Sequence, residues 1–256
     1  MSVSPLYKEI AKKQVFSIQD VLPFTKSNDV ASVYLNRMTK KGLIRKVRKN
    51  LYVALDLSSG GDLANKYQIA SHINDSSFLS YHSAFEFYGM YNQVYDIVQV
   101  SSPRLFSNFQ DEGLTYQCFK TETLQQVDKV KGVNVCSIER TIVDSINKLG
   151  ISMSIEELLQ CLSLVNIVDE NKLLEMLSLY DKDVLYRKTG YLLASFKDQY
   201  RLSDDFFKTC KEKSNIANIT KISSHEGNNL EFVKEWGLYG YKNIMKLISE
   251  WGDLDV

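Results

Sequence analysis

The chain has 256 residues, with 31 Lys and Arg against 31 Asp and Glu, and 44% of it is apolar. That composition suits a folded globular protein of one large domain or two smaller ones, and there is no run of about 18 apolar residues to span a membrane. The zero net charge conceals an asymmetry, because residues 1–54 hold 11 Lys and Arg against 3 Asp and Glu, a net of +8 that leaves −8 on residues 55–256.

In chain order, MSVSPLYKEIAKKQ lacks an apolar core and a small-residue cleavage site, so it does not read as a secretory leader and a cytoplasmic protein is expected. Leu6 and Ile10 suggest a first helix ending near Gln14. Ser17 reads as the N-cap of a short helix, Ile18–Leu22, stopped by Pro23. After the turn Phe24-Thr25-Lys26, one of Ser27, Asn28 or Asp29 caps a third helix running to about Lys41. Gly42 stands at its C′ position, where a positive φ is wanted. Leu43–Val47 and Leu51–Leu55 then predict two strands around Arg48-Lys49-Asn50.

At 100° per residue, Ala31, Leu35 and Met38 share the core face of the third helix, with Tyr34 at its edge. Ser32, Val33, Asn36, Arg37 and Lys40 share the opposite face. That face suits a DNA groove: Arg37 can be bidentate to guanine, Asn36 to adenine, and Val33 can touch a thymine methyl. The adjoining hairpin carries Arg45, Lys46, Arg48 and Lys49 within five residues, a cation density suited to backbone phosphates or a narrow minor groove. Six to eight cations near phosphates predict a slope of log K against log salt of roughly −5 to −7.

Residues 15–55, VFSIQDV…VASVYLNRMTKKGLIRKVRKNLYVAL, resemble the N-terminal winged helix of AbiEi antitoxins, the regulators of type IV (abortive infection) toxin–antitoxin systems. The block from Lys40 to Val53 is the nearest stretch. Where that family commonly has Gly before the second strand, this chain has Asn50, which tolerates the left-handed conformation nearly as well. The patches LSYHSAFEFYG and SIERTIVDSI extend the resemblance in matching order to about residue 150. The family's larger C-terminal domain counters a nucleotidyltransferase-like toxin without a stable complex. Phage resistance by abortive infection is what the resemblance implies for function.

Ser58-Ser59-Gly60-Gly61 is the linker candidate, placing a winged helix-turn-helix in 1–58 and a larger domain in 59–256. Asp62 is expected to cap a helix reaching Ile73. Phe78–Gly89 predicts a further helix, with Ser80 as its cap. Val94–Ser101, Leu114–Lys120 and Val133–Cys136 predict strands, and Ser137 opens a helix. The second half predicts helices from Ser154, Asp169, Asp183 and Ser203. A tail over Asn229–Trp251 breaks helical order at Gly237 and Gly240, where a terminal strand fits. The expected fold class is α+β, a winged helix followed by a mixed α/β domain that becomes mostly helical.

Other chemistry is sparse. His82 with Ser80, Ser83 and Glu86 reads as helix capping and packing rather than a catalytic cluster. Glu139, Arg140 and Asp144 read as a helix-terminus acid and a pair one turn apart. Cys118, Cys136, Cys161 and Cys210 have no CxxC spacing and no nearby histidine, which fits reduced thiols and no metal site. No cofactor motif is present. The leading expectation is a non-enzymatic, DNA-binding antitoxin that represses its own operon at promoter inverted repeats. The alternatives are a winged-helix-targeted nuclease, whose one ExK motif is Glu170-Asn171-Lys172, and a protein-interaction adaptor.

Overall fold

Local signals build the head. In the computed structural model, which describes residues 5–223 and 230–252, α1 spans Pro5–Ala11 and ends earlier than expected. Gln14 turns the chain at φ 62, and β1 (Val15–Phe16) follows. Ser17 and Asp20 form a reciprocal capping box at the start of α2 (Ile18–Val21), leaving neither end group unpaired. Pro23 converts the next turn to 3₁₀ over Leu22–Phe24. Ser27, among its three candidates, caps α3 (Asn28–Lys40) by accepting from Val30 N at 3.3 Å. Gly42 leaves the helix at φ 65, a conformation without a Cβ penalty only for glycine.

The hairpin of β2 (Ile44–Arg48) and β3 (Leu51–Ala54) completes the head. β1 adds to its other edge, giving the order β1-β3-β2. Asn50 takes φ 63 at the hairpin turn, and its side chain accepts from Ile18 N at 3.0 Å. Tyr7, Ile10, Phe16, Val21, Ala31, Leu35, Met38, Ile44 and Ala54 form one buried cluster. This is a winged helix-turn-helix.

The linker candidate is a closed turn. The Asp56 carboxylate accepts from Ser58 N and Ser59 N, both at 2.8 Å, and Leu55 bridges to Asp62 across it. Asp62 caps no helix. Asn65 caps α4 (Lys66–Ser71) instead, in a capping box with Gln68. A six-stranded mixed sheet follows, in the order β6-β7-β5-β4-β9-β8. Its strands are β4 (Phe78–Leu79), β5 (Ile97–Ser102), β6 (Phe109–Asp111), β7 (Leu114–Lys120), β8 (Val127–Val130) and β9 (Val133–Cys136). The expected helix over 78–89 therefore begins as a strand, and only Tyr81–Phe87 is helical, as α5. β6 and β8 had no clear sequence signal. Each is folded back by a two-residue turn, Glu112-Gly113 and Lys131-Gly132, with both residues at positive φ, the twist that antiparallel neighbours favour.

Helices dominate the remainder: α6 (Ile138–Asn147), α7 (Ile155–Leu164), α8 (Glu170–Tyr180), α9 (Asp183–Ala194), α10 (Lys197–Tyr200) and α11 (Asp204–Glu212). Ser137, Ser154, Asp169 and Ser203 cap α6, α7, α8 and α11 as expected. The expected tail begins at Asn229, which lies outside the described residues. Within it, β11 (Glu231–Val233) and β12 (Leu238–Gly240) pair, β10 (Thr220–Lys221) joins them, and α12 (Ile244–Gly252) follows. The terminal strand is therefore present, at Gly240.

The chain divides into two units by its internal contacts. One holds Met1–Leu79, Asp96–Thr123 and Lys129–Val135, and the other Ser80–Tyr95, Leu124–Asp128 and Cys136–Val256. The boundary expected after residue 58 falls inside the first unit, so the winged helix shares a unit with most of the sheet. The fold class is α+β. Among the described residues, no helix is long and apolar enough to cross a membrane.

Candidate nucleic-acid interface

The third helix of the head separates its two faces sharply. Ala31, Leu35 and Met38 are buried, while Val33, Asn36, Arg37 and Lys40 are exposed and Ser32 is half-buried. The core stripe anchors the helix by hydrophobic burial, which leaves the outer row unobstructed. Tyr34, placed by its helical angle near the core edge, is 40% exposed and adds an aromatic to this open side.

The four wing cations divide into two pairs. Lys46 and Lys49 are exposed. Arg45 and Arg48 are not available in the same way. The Arg45 guanidinium donates from Nε to Asp62 Oδ1 at 3.0 Å and from Nη2 to Asp62 Oδ2 at 2.5 Å. It also donates from Nη1 to Asp111 Oδ1 at 2.5 Å and from Nη2 to Asp111 Oδ2 at 3.0 Å. Both carboxylates are thus bidentate, the strongest geometry for this pair, and the Asp62 bonds lead in holding Arg45 protonated. Arg48 lies over aromatic rings, its Cζ 4.6 Å from the Phe109 centroid and 5.4 Å from that of Phe106. Its Nη1 is buried without a hydrogen-bond partner. Phe109 is itself stacked on buried Tyr116 at 4.8 Å. Burial foremost, and then Asp111, raise the Tyr116 hydroxyl pKa.

Asp111, Phe106 and Phe109 went unrecognised as partners of the wing. Arg45 and Asp111 are 66 residues apart and lie in different sheets, so only tertiary packing brings them together; Asp111 stands at the tight end of β6–β7, paired with Leu114. No periodicity carries that information.

The other clusters resolve as architecture. His82 is buried, and its Nδ1 lies 2.7 Å from Glu157 Oε1. Ser80 stands at the N-cap of α5 but makes no cap hydrogen bond with its side chain. Arg140, fully buried, donates to Asp144 Oδ2 at 3.1 Å and to Gln125 O at 2.5 Å, and Tyr180 donates to the same aspartate. Burial, the largest influence, raises the Asp144 pKa despite Arg140. Glu139 accepts from Asp169 N at 3.0 Å, fixing the start of α8. Glu170, the acid of the ExK motif, accepts from Ser203 N and Oγ at 2.8 and 3.0 Å. Its carboxylate is committed to the start of α11. Cys136, Cys161 and Cys210 are buried thiols, each pushed up to about 12 by burial, the reverse of a reactive thiolate. Among the described residues, no group of His, Cys, Asp or Glu is placed to hold a metal ion.

The fold and the open helix define a class: a winged helix-turn-helix head on an α/β body. No family model matches the chain, and no curated protein matches it. Among solved structures it is similar to the RV2827C protein from Mycobacterium tuberculosis, with a TM-score of 0.65 at 13% identity, over 96% of this chain and 93% of that one. At that identity the likeness is one of fold.

Proposed function

We propose that this chain is a cytoplasmic, DNA-binding antitoxin of the AbiEi type, which represses its own operon and counters a nucleotidyltransferase-like toxin without forming a stable complex. The observation that carries the DNA half is the exposed row Val33, Asn36, Arg37 and Lys40 on a helix anchored from behind by Ala31, Leu35 and Met38. A winged helix presents this row to the major groove, with its cations near phosphates. The toxin-countering half rests on the resemblance of the blocks at 79–89 and 137–146.

The test is fluorescence anisotropy with the chain's own upstream promoter duplex and a scrambled duplex, titrated with salt. Arg37, Lys40, Lys46 and Lys49 are the exposed cations of the site, and with Arg37 on a base the three lysines alone give a slope of magnitude at least about 2.7. Arg37→Ala costs about 1–3 kcal/mol on the promoter and much less on scrambled DNA, whereas Lys49→Ala weakens both alike. Equal losses for Arg37→Ala on the two duplexes reject base reading. No binding to either duplex at about 50 mM salt rejects the DNA-binding function and favours the adaptor reading.

A further inference from the structure

Two of the wing cations already hold partners that imitate a nucleic acid. Asp111 and Asp62 offer Arg45 planar pairs of anionic oxygens, the acceptor geometry that a phosphate also offers. Phe106 and Phe109 offer Arg48 a flat π face, as a base does. From these contacts, and resting on the DNA-binding reading above, we infer that the β6–β7 hairpin is an internal latch on the wing. It holds Arg45 and Arg48 in the free protein and yields them to DNA phosphates on binding.

Three observations support a contact that exchanges rather than a permanent brace. The Arg45 side chain keeps 22% of its surface open to solvent. That opening lets a competing anion reach the guanidinium while it is still held. Arg48 Nη1 has no hydrogen-bond partner on its aromatic shelf, an unsatisfied donor that a phosphate oxygen would satisfy. On the latch side, Asp111 pairs with Leu114 beside a two-residue turn, Glu112 at φ 47 and Gly113 at φ 80, so its backbone is held in the sheet. Release on this reading is a movement of the wing side chains. The latch lowers affinity for every duplex equally, because the contacts it withholds are to backbone and not to base edges.

The experiment uses the full-length chain, a labelled promoter duplex and salt from 50 to 200 mM, in a double-mutant cycle of Asp111→Asn and Arg45→Gln. With Arg45 present, Asp111→Asn tightens binding roughly three- to tenfold, the order expected when a partly exposed competitor is removed. In the Arg45→Gln background that gain disappears. Arg45→Gln alone makes the slope shallower by about 0.9, one phosphate contact. Glu112→Gln removes an exposed charge paired with Arg45 only at 3.9 Å, and it gives a much smaller gain than Asp111→Asn. Circular dichroism checks each fold, and Phe106→Leu, which removes one of the two rings under Arg48 and so loosens it with no change in charge, gives a second route to tighter binding if Asp111→Asn unfolds. An equal gain in both Arg45 backgrounds, or a gain with Glu112→Gln as large as with Asp111→Asn, shows a general field effect and overturns the latch. So does a slope unchanged by Arg45→Gln, while DNA binding itself stands. Loss of all binding in every variant and wild type overturns the DNA reading and the latch together.

Discussion

At the scale of single residues, tight local geometry gives measurable consequences. Asp56, in the turn that replaces a linker, is held down to about 2 by the Ser58 hydroxyl first, then by the Ser59 and Ser58 amides. A depressed carboxylate stabilises the fold above its ordinary value of 3.8, and that contribution is lost as pH falls through the folded value. A carbon-detected NMR titration should place the Asp56 midpoint near 2, and Ser58→Ala with Ser59→Ala should move it upward. A wild-type midpoint at the ordinary value would show that the turn is open in solution. Gly190 is a second tight point, since a Cβ there would overlap the Trp236 ring, itself buried. Gly190→Ala should cost about 1–3 kcal/mol by overpacking, read as a lower urea midpoint. An unchanged midpoint would mean the ring has room to move.

At the scale of elements, helix caps were the most legible feature, because a hydroxyl or carboxylate accepting from the third amide is a contact between near neighbours in sequence. Four of the body's caps stand where the sequence put them. One cap moved, from Asp62 to Asn65, and the helix expected from Phe78 starts only after its cap Ser80; both changes lie where long-range partners intervened, Arg45 for Asp62 and Val100 across from Leu79 in the sheet. Caps also differ in what else they hold. Ser154 accepts from Glu157 N alone, whereas Ser137 accepts from Arg140 N and donates to Gln126 Oε1 at 2.9 Å. Ser154→Ala should cost about 1 kcal/mol, and Ser137→Ala about 1 kcal/mol more for the second, part-buried bond. Equal losses in urea unfolding would show that the Gln126 bond contributes nothing.

At the scale of the whole molecule, the proposal assigns two jobs to one chain. Asn36→Ala with Arg37→Ala changes only exposed side chains, so the fold should persist. Operator binding should fall by at least about tenfold, the effect of losing base contacts, while co-expression with the toxin that the proposal assigns to it should still allow growth. Loss of growth protection along with binding would tie the two activities together and reject the division of labour.

The sequence alone determined the head: a hydrophobic stripe of period 3.6, Gly42 at a helix end and Asn50 in a tight turn are local rules, and they sufficed for α3 and the hairpin. It also determined most helices of the body, whose caps and apolar spacings are short-range. Only the tertiary structure decided which wing cations are open. Asp62, Asp111, Phe106 and Phe109 reach the wing through side-chain packing between segments that are distant in sequence and lie outside its sheet, and such packing leaves no periodic trace in the sequence. The Ser-Gly stretch reads as flexible by composition, and the turn that Asp56 closes over it is a local contact.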